Sequence, residues 1–242
     1  MEQRKRYPNL LVLDAGDGLI RDQRPATETH GATSIETMNA MGYDAMALGE
    51  GDLAQLGVEG ILRRAEEAQF PFLSANAYLT GTEDLLVEPY TVLDIGTRRV
   101  AIVGITGPSS TAEVEIRDPL EAARATVADI RAQADILILL SHAGLKINRE
   151  IADVLPEIDL IVSGGGKWIT RELEQADSGP FIVHADLSTP GHAGRRIGAG
   201  RWTFDRGNTV VDQQWENIAL NTTYPDDPDM RAWVIKYQQQ RP

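Results

Sequence analysis

Four short stretches bring together residue types that can do chemistry. Gly16-Asp17, Gly49-Glu50-Gly51-Asp52, Ser141-His142 and Ser163-Gly164-Gly165-Gly166-Lys167 each follow a run of apolar residues. A rigid strand holds a loop residue in place at its end while leaving it open to solvent, which suits catalytic or binding side chains. Carboxylates suit hard cations, so Asp17, Glu50 and Asp52, together with His142, are candidates to hold a divalent metal. Each also has a plainer reading. Asp17 stands before Gly18 and can turn or cap the backbone, His142 can be a half-buried histidine bonded to nearby backbone, and Glu50 and Asp52 can be solvated loop acids. Lys167 behind three glycines can bind an anion, although its spacing is not that of a P-loop.

The elements that must carry these residues are legible as short apolar runs alternating with helical patterns. "NLLVLDAGD" (9–17), "YDAMALG" (43–49), "FPFLSAN" (70–76), "RVAIVGIT" (99–106), "ADILILLSHAG" (134–144) and "IDLIVSGGG" (158–166) read as buried strands of a mostly parallel sheet. "YTVLDIGTRRVAIVGIT" (90–106) reads as a hairpin turning at Gly96-Thr97, which makes the sheet mixed. Helices are expected at 119–133, capped by Asp118 with Pro119 in the first position, and around Ile35, Met38 and Met41, ending at Gly42. A further helix is expected from about Val58. After residue 180 an antiparallel pair turns at Arg206-Gly207-Asn208, and a last short helix is capped by Asp226 or Asp227.

Composition narrows the function classes. The chain has 242 residues, enough for one large domain with a buried core, and a formal net charge of −13. That acidity disfavours a nucleic-acid backbone as partner. The absence of cysteine excludes disulfides, thiolate zinc sites and a cysteine nucleophile. No apolar run reaches the roughly 18 residues that span a bilayer, and "MEQRKRYPNLLVLDAG" does not read as a signal peptide because Asp14 interrupts its apolar part.

The strand ends, taken in order from "LLVLDAGD" through "MNAMGYDAMALG", "FPFLSAN", "RVAIVGIT", "ADILILLSHAGL" and "IDLIVSGG" to "GRRIGAGRWTFD", resemble the calcineurin-like metallophosphoesterases of the 5'-nucleotidase branch. The likeness runs from about residue 8 to about 237. It implies an α/β fold, a four-layer αββα sandwich of two mixed β-sheets flanked by helices. It also implies an active site at the strand ends where two divalent metals (manganese, zinc, magnesium or calcium) clamp a phosphoryl group and activate a water.

Carried over residue by residue, the resemblance is uneven. Gly16-Asp17 matches the Gly-Asp whose carboxylate bridges both metals, and Ser141-His142 matches a later histidine ligand. Glu50 and Gly51 stand where the family has Asn and His. In the 163–167 stretch one expected histidine is a glycine and the other is Lys167. The family's Asp-x-His strand would precede residue 1. Two matched ligands are too few for a hydrolytic cation, and an ammonium at Lys167 opposes one.

The expectation is therefore one metallophosphoesterase-like domain over 1–242, without the family's first strand or C-terminal substrate domain. It would lack the ordinary two-metal hydrolysis and bound cofactors, and act as a binding or assembly subunit. An upstream segment or a protein partner would complete the sheet. The alternative is a metal-dependent phosphoester hydrolase whose site is rebuilt from Asp17, Glu50, Asp52 and His142, with His184 and His192, which flank "ADLSTPG", as substitutes for missing histidines. The family branch is mostly exported, whereas this chain shows no export signal.

Overall fold

The computed structural model describes residues 7–20, 24–166, 168–170, 173–175, 179–186 and 195–239. Its first sheet is parallel and three-stranded, in the order β1 (Leu13–Asp14), β2 (Ala45–Ala47), β3 (Phe72–Leu73). Between these strands run α1 (Ala32–Met41) and α2 (Glu50–Glu67). Their apolar sides, including Ile35, Met38, Leu53 and Ile61, pack with Met46, Leu48 and Phe72 into one buried cluster.

After a short antiparallel pair, β4 (Ala77–Leu79) with β7 (Val114–Ile116), the second half of the chain builds a larger mixed sheet. It contains β5 (Tyr90–Ile95), β6 (Arg98–Ile105), β8 (Ile136–Ser141), β9 (Leu160–Ser163), β10 (Glu174–Gln175) and β11 (Phe181–Val183), in the order β10-β11-β9-β8-β6-β5. The β5–β6 pair is the expected hairpin, with Ile95 opposite Arg98 across Gly96-Thr97. One face is covered by α3 (Pro119–Ile130) and α4 (Gly144–Val154), which bury Ala123, Val127, Ile130 and Ile151. On α3, Asp118 caps as its sequence position predicts, accepting the Glu121 N–H at 2.9 Å.

The opposite face of this sheet meets the first sheet. Ala45, Ala47 and Leu73 pack there against Val100, Ile102, Ile138 and Leu140. The layers are thus helices, sheet, sheet, helices, as expected, although the smaller sheet is wholly parallel among the described residues. The sheets approach so closely that a Cβ added at Gly104 would lie 2.3 Å from the Leu73 carbonyl oxygen. At the same seam the Ala75 N–H donates to the Gly104 carbonyl at 2.8 Å.

Two local features differ from expectation. α2 includes the helix expected from about Val58, but a first helical stretch begins already at Glu50 and meets it across a break at Gly57 (φ 61°, ψ −179°). The early start depends on carboxylates distant in sequence or buried in the first turn, which local propensity does not reveal. On α1, Ile35 and Met38 are buried but Met41 is 48% exposed, because the helix ends there against the left-handed Gly42.

The chain closes with the antiparallel hairpin β12 (Arg196–Phe204) and β13 (Val210–Ala219), then α5 (Pro228–Gln239). The hairpin turns where expected, with Asp205 accepting the N–H groups of Gly207 and Thr209. Asp227 caps α5 through the N–H groups of Asp229 and Met230. Among the described residues no helix is long and apolar enough to cross a membrane.

Candidate active site

Parallel pairing puts the C-terminal ends of β1, β2, β6, β8, β9 and β11 along one rim, and the chemistry-bearing residues follow those ends. At its centre stand Asp17 after β1, Glu50 and Asp52 at the start of α2, and His142 after β8. The His142 Nε2 lies 3.1 Å from Asp17 Oδ2 and 3.9 Å from Glu50 Oε2. Its Nδ1 lies 2.7 Å from the Ala15 carbonyl oxygen. A carbonyl and a carboxylate only accept, so both ring nitrogens carry protons and His142 is an imidazolium.

The surroundings agree with that charge state. Burial pushes the His142 pKa down, but the hydrogen bond and charge of Asp17, with Glu50 and the Ala15 carbonyl, raise it to about 9. Burial pushes the Asp17 carboxyl up. The His142 hydrogen bond and charge, with the N–H groups of Asp52 and Gly51, outweigh burial and hold Asp17 below its ordinary value.

Asp17 and Asp52 exchange hydrogen bonds across the start of α2. Asp17 Oδ1 accepts the N–H groups of Gly51 at 2.8 Å and Asp52 at 3.2 Å, capping a helix from another strand's loop. Asp52 is fully buried and accepts three N–H groups, those of Asp17 (2.8 Å), Leu19 (3.1 Å) and Gly49 (3.1 Å). Burial and the Asp17 charge push the Asp52 pKa up to about 7, against the N–H groups of Gly49 and Leu19.

Glycine backbones close around this cluster. A Cβ at Gly49 would lie 2.1 Å from Asp17 Oδ1, one at Gly51 2.8 Å from the same atom, and one at Gly107 2.1 Å from Glu50 Oε2. Gly164 packs so tightly against the Ala15 carbonyl and His142 that a Cβ there would lie 2.1 Å from the former. The Glu50 Oε2 atom is buried and has no hydrogen-bond partner.

His184, after β11, belongs to a neighbouring aromatic arrangement. Its Nδ1 lies 2.6 Å from the Ser163 carbonyl oxygen, its ring stacks on Trp168 at 4.8 Å, and its Nε2 has no hydrogen-bond partner. Burial lowers its pKa against the raising effect of the Ser163 and Asp186 backbone, and its Nδ1 proton faces the Ser163 carbonyl. Lys167 and His192 lie outside the described residues. Among the described residues, no group of three or more His, Cys, Asp or Glu side chains is placed to hold a metal ion.

Reading from sequence missed the Ala15 carbonyl, Gly107 and Asn148 as parts of this rim. Asn148 left a signal, since it is a polar residue on the apolar side of α4 and is wholly buried.

No protein-family model matches the chain. It is 31% identical to human 5'-nucleotidase over 97% of its own length and 45% of that protein's. It is also 31% identical to the 5'-nucleotidase of Vibrio cholerae over 64% of its length, covering 32% of the relative. The solved 5'-nucleotidase precursor from Thermus thermophilus superposes with a TM-score of 0.81 at 25% identity, over 98% of this chain and 51% of the other. The chain is a metallophosphoesterase-like domain of the 5'-nucleotidase type. The same fold recurs in Thermus thermophilus sulfate thiohydrolase SoxB, with a TM-score of 0.85 at 21% identity over 98% of this chain and 44% of the other. This metallophosphoesterase-like domain thus spans about half the length of the curated relatives it matches along its whole length.

Proposed function

We propose that this domain keeps the metallophosphoesterase frame without the ordinary two-metal hydrolysis, and serves as a binding or assembly unit. The observation that carries the reading is the His142 ring, whose two N–H groups are used by Ala15 and Asp17. A metal-bound histidine presents an unprotonated nitrogen, and here a cation would have to displace a proton from a pair that its own hydrogen bond and charges hold together against burial. Asp17, the carboxylate expected to bridge two metals, spends its other oxygen on the first turn of α2. The positions that resemble the family's Asn and His are Glu50 and Gly51, so the described donor set does not fit a two-metal centre.

Among the described residues β1 has a strand neighbour on one side only. That edge is our candidate for the place where an upstream segment or protein partner pairs. A binding role then needs the frame and the rim, not a hydrolytic cation.

One observation favours the alternative, a phosphoester hydrolase with a rebuilt or externally completed site. The buried Glu50 Oε2 has no hydrogen-bond partner and faces the same Nε2 as Asp17 does. Metal analysis of the purified protein, with turnover of bis-p-nitrophenyl phosphate and 5'-AMP in manganese, separates the two readings. The binding-unit reading expects neither metal nor turnover. Stoichiometric metal, with turnover abolished in Asp17→Ala, overturns it.

A further inference from the structure

The rim has a second, fully buried layer whose polar atoms are all used. Asn148, on α4, accepts the Ser141 hydroxyl at 2.6 Å through Oδ1 and donates through Nδ2 to the Ser163 hydroxyl oxygen at 2.8 Å. Ser141 is the last residue of β8 and Ser163 the last of β9, two strands paired directly at those positions. Each serine stands one covalent or hydrogen-bonded step from a histidine. His142 follows Ser141 in the chain, and His184 donates from Nδ1 to the Ser163 carbonyl at 2.6 Å.

We infer that Asn148 is a positioning residue that fixes His142 and His184 relative to one another. A carboxamide presents an acceptor and a donor from opposite sides of one rigid plane, which matches one serine acting as donor and the other as acceptor. In a dry interior such a bridge is fully satisfied or strongly unfavourable, so it specifies one arrangement of the two strand ends. Ser141 Oγ also accepts the Ala143 N–H at 3.3 Å, and Ser163 Oγ donates to the Gly164 carbonyl at 3.3 Å, extending the hold to the turns on either side of the His142 ring. The outcome is a frame in which the His142 Nε2 meets Asp17 while the His184 Nδ1 meets the Ser163 carbonyl. This inference holds whether or not the rim hydrolyses anything.

Long-range proton–nitrogen correlation spectra of the histidine rings test it, because they read tautomer and hydrogen bonding ring by ring. The unaltered protein shows one hydrogen-bonded Nδ1–H on each ring, that of His142 to the Ala15 carbonyl and that of His184 to the Ser163 carbonyl. In Asn148→Ala, both rings lose these fixed signatures and their N–H protons exchange at least about tenfold faster. Ser141→Ala disturbs the His142 ring while sparing His184, and Ser163→Ala does the reverse, so these milder variants decide the matter if Asn148→Ala does not fold. Ring spectra unchanged in folded Asn148→Ala, or single-serine variants that disturb both rings alike, would overturn the inference.

Discussion

Asp17 and His142 satisfy one another across 3.1 Å, although residues from two different sheets deliver them to the rim. Asp17 comes from the loop after the first sheet's edge strand, and His142 from the centre of the larger sheet. Their contact therefore ties the two sheets together at the rim as well as marking the candidate site.

The pair has a pH signature with a defined sign. His142 rises from an ordinary 6.5 to about 9, so its contribution to stability is full below about pH 6.5 and is lost as pH rises through about 9. Asp17 is lowered from its ordinary 3.8, so its contribution is present above about pH 4 and is lost as pH falls through its folded value. At pH 6 the histidine's contribution is on the order of 2–3 kcal/mol. Urea unfolding of the unaltered protein and of His142→Gln should therefore differ most near pH 6 and converge above pH 9.

Asp52 should be the most sensitive acid of the rim to truncation. Its removal strands three N–H groups, those of Asp17, Leu19 and Gly49, all of them in buried or partly buried bonds. Asp52→Ala should lower stability by at least about 3 kcal/mol, and Asp52→Asn by about half as much, since each stranded buried group costs about 1–3 kcal/mol. Equilibrium denaturation checks both values, and similar losses for the two variants would contradict the role given to the carboxylate.

A histidine at position 51, the residue type that the family resemblance implies there, should not create a metal site. Any side chain there begins 2.8 Å from Asp17 Oδ1, so Gly51→His must push Asp17 off the α2 cap. A loss of about 1–3 kcal/mol is expected from the overpacking, read as a lower melting temperature, with no phosphatase activity gained in manganese.

Manganese itself should leave thermal stability nearly unchanged. A site with a Kd of about 10 μM would add about 2.7 kcal/mol at 1 mM metal, a shift of several degrees that scanning calorimetry would detect. Such a shift, absent from Asp17→Ala, would favour the rebuilt-site alternative through Glu50.

Much of the frame was legible because it obeys local rules. The Gly96-Thr97 hairpin, the Asp118 cap, the Gly42 stop and the Arg206-Gly207-Asn208 turn each depend on residues adjacent in sequence. The start of α2 was not, because the Asp17 that caps it lies more than thirty residues away. The site was legible as a set of strand ends, but its bonding was not. Nothing local distinguishes Asp17 as a ligand from Asp17 as a cap, and the Ala15 carbonyl that sets the His142 protonation carries no side-chain signal at all.

The seam at Gly104 limits how the two sheets can change. There the backbone of one sheet rests on the backbone of the other, and a hydrogen bond from Ala75 crosses between them. Neither half of the chain presents a finished surface without its counterpart. A change of spacing in either sheet is therefore felt at once by the other, and the two can alter only in step.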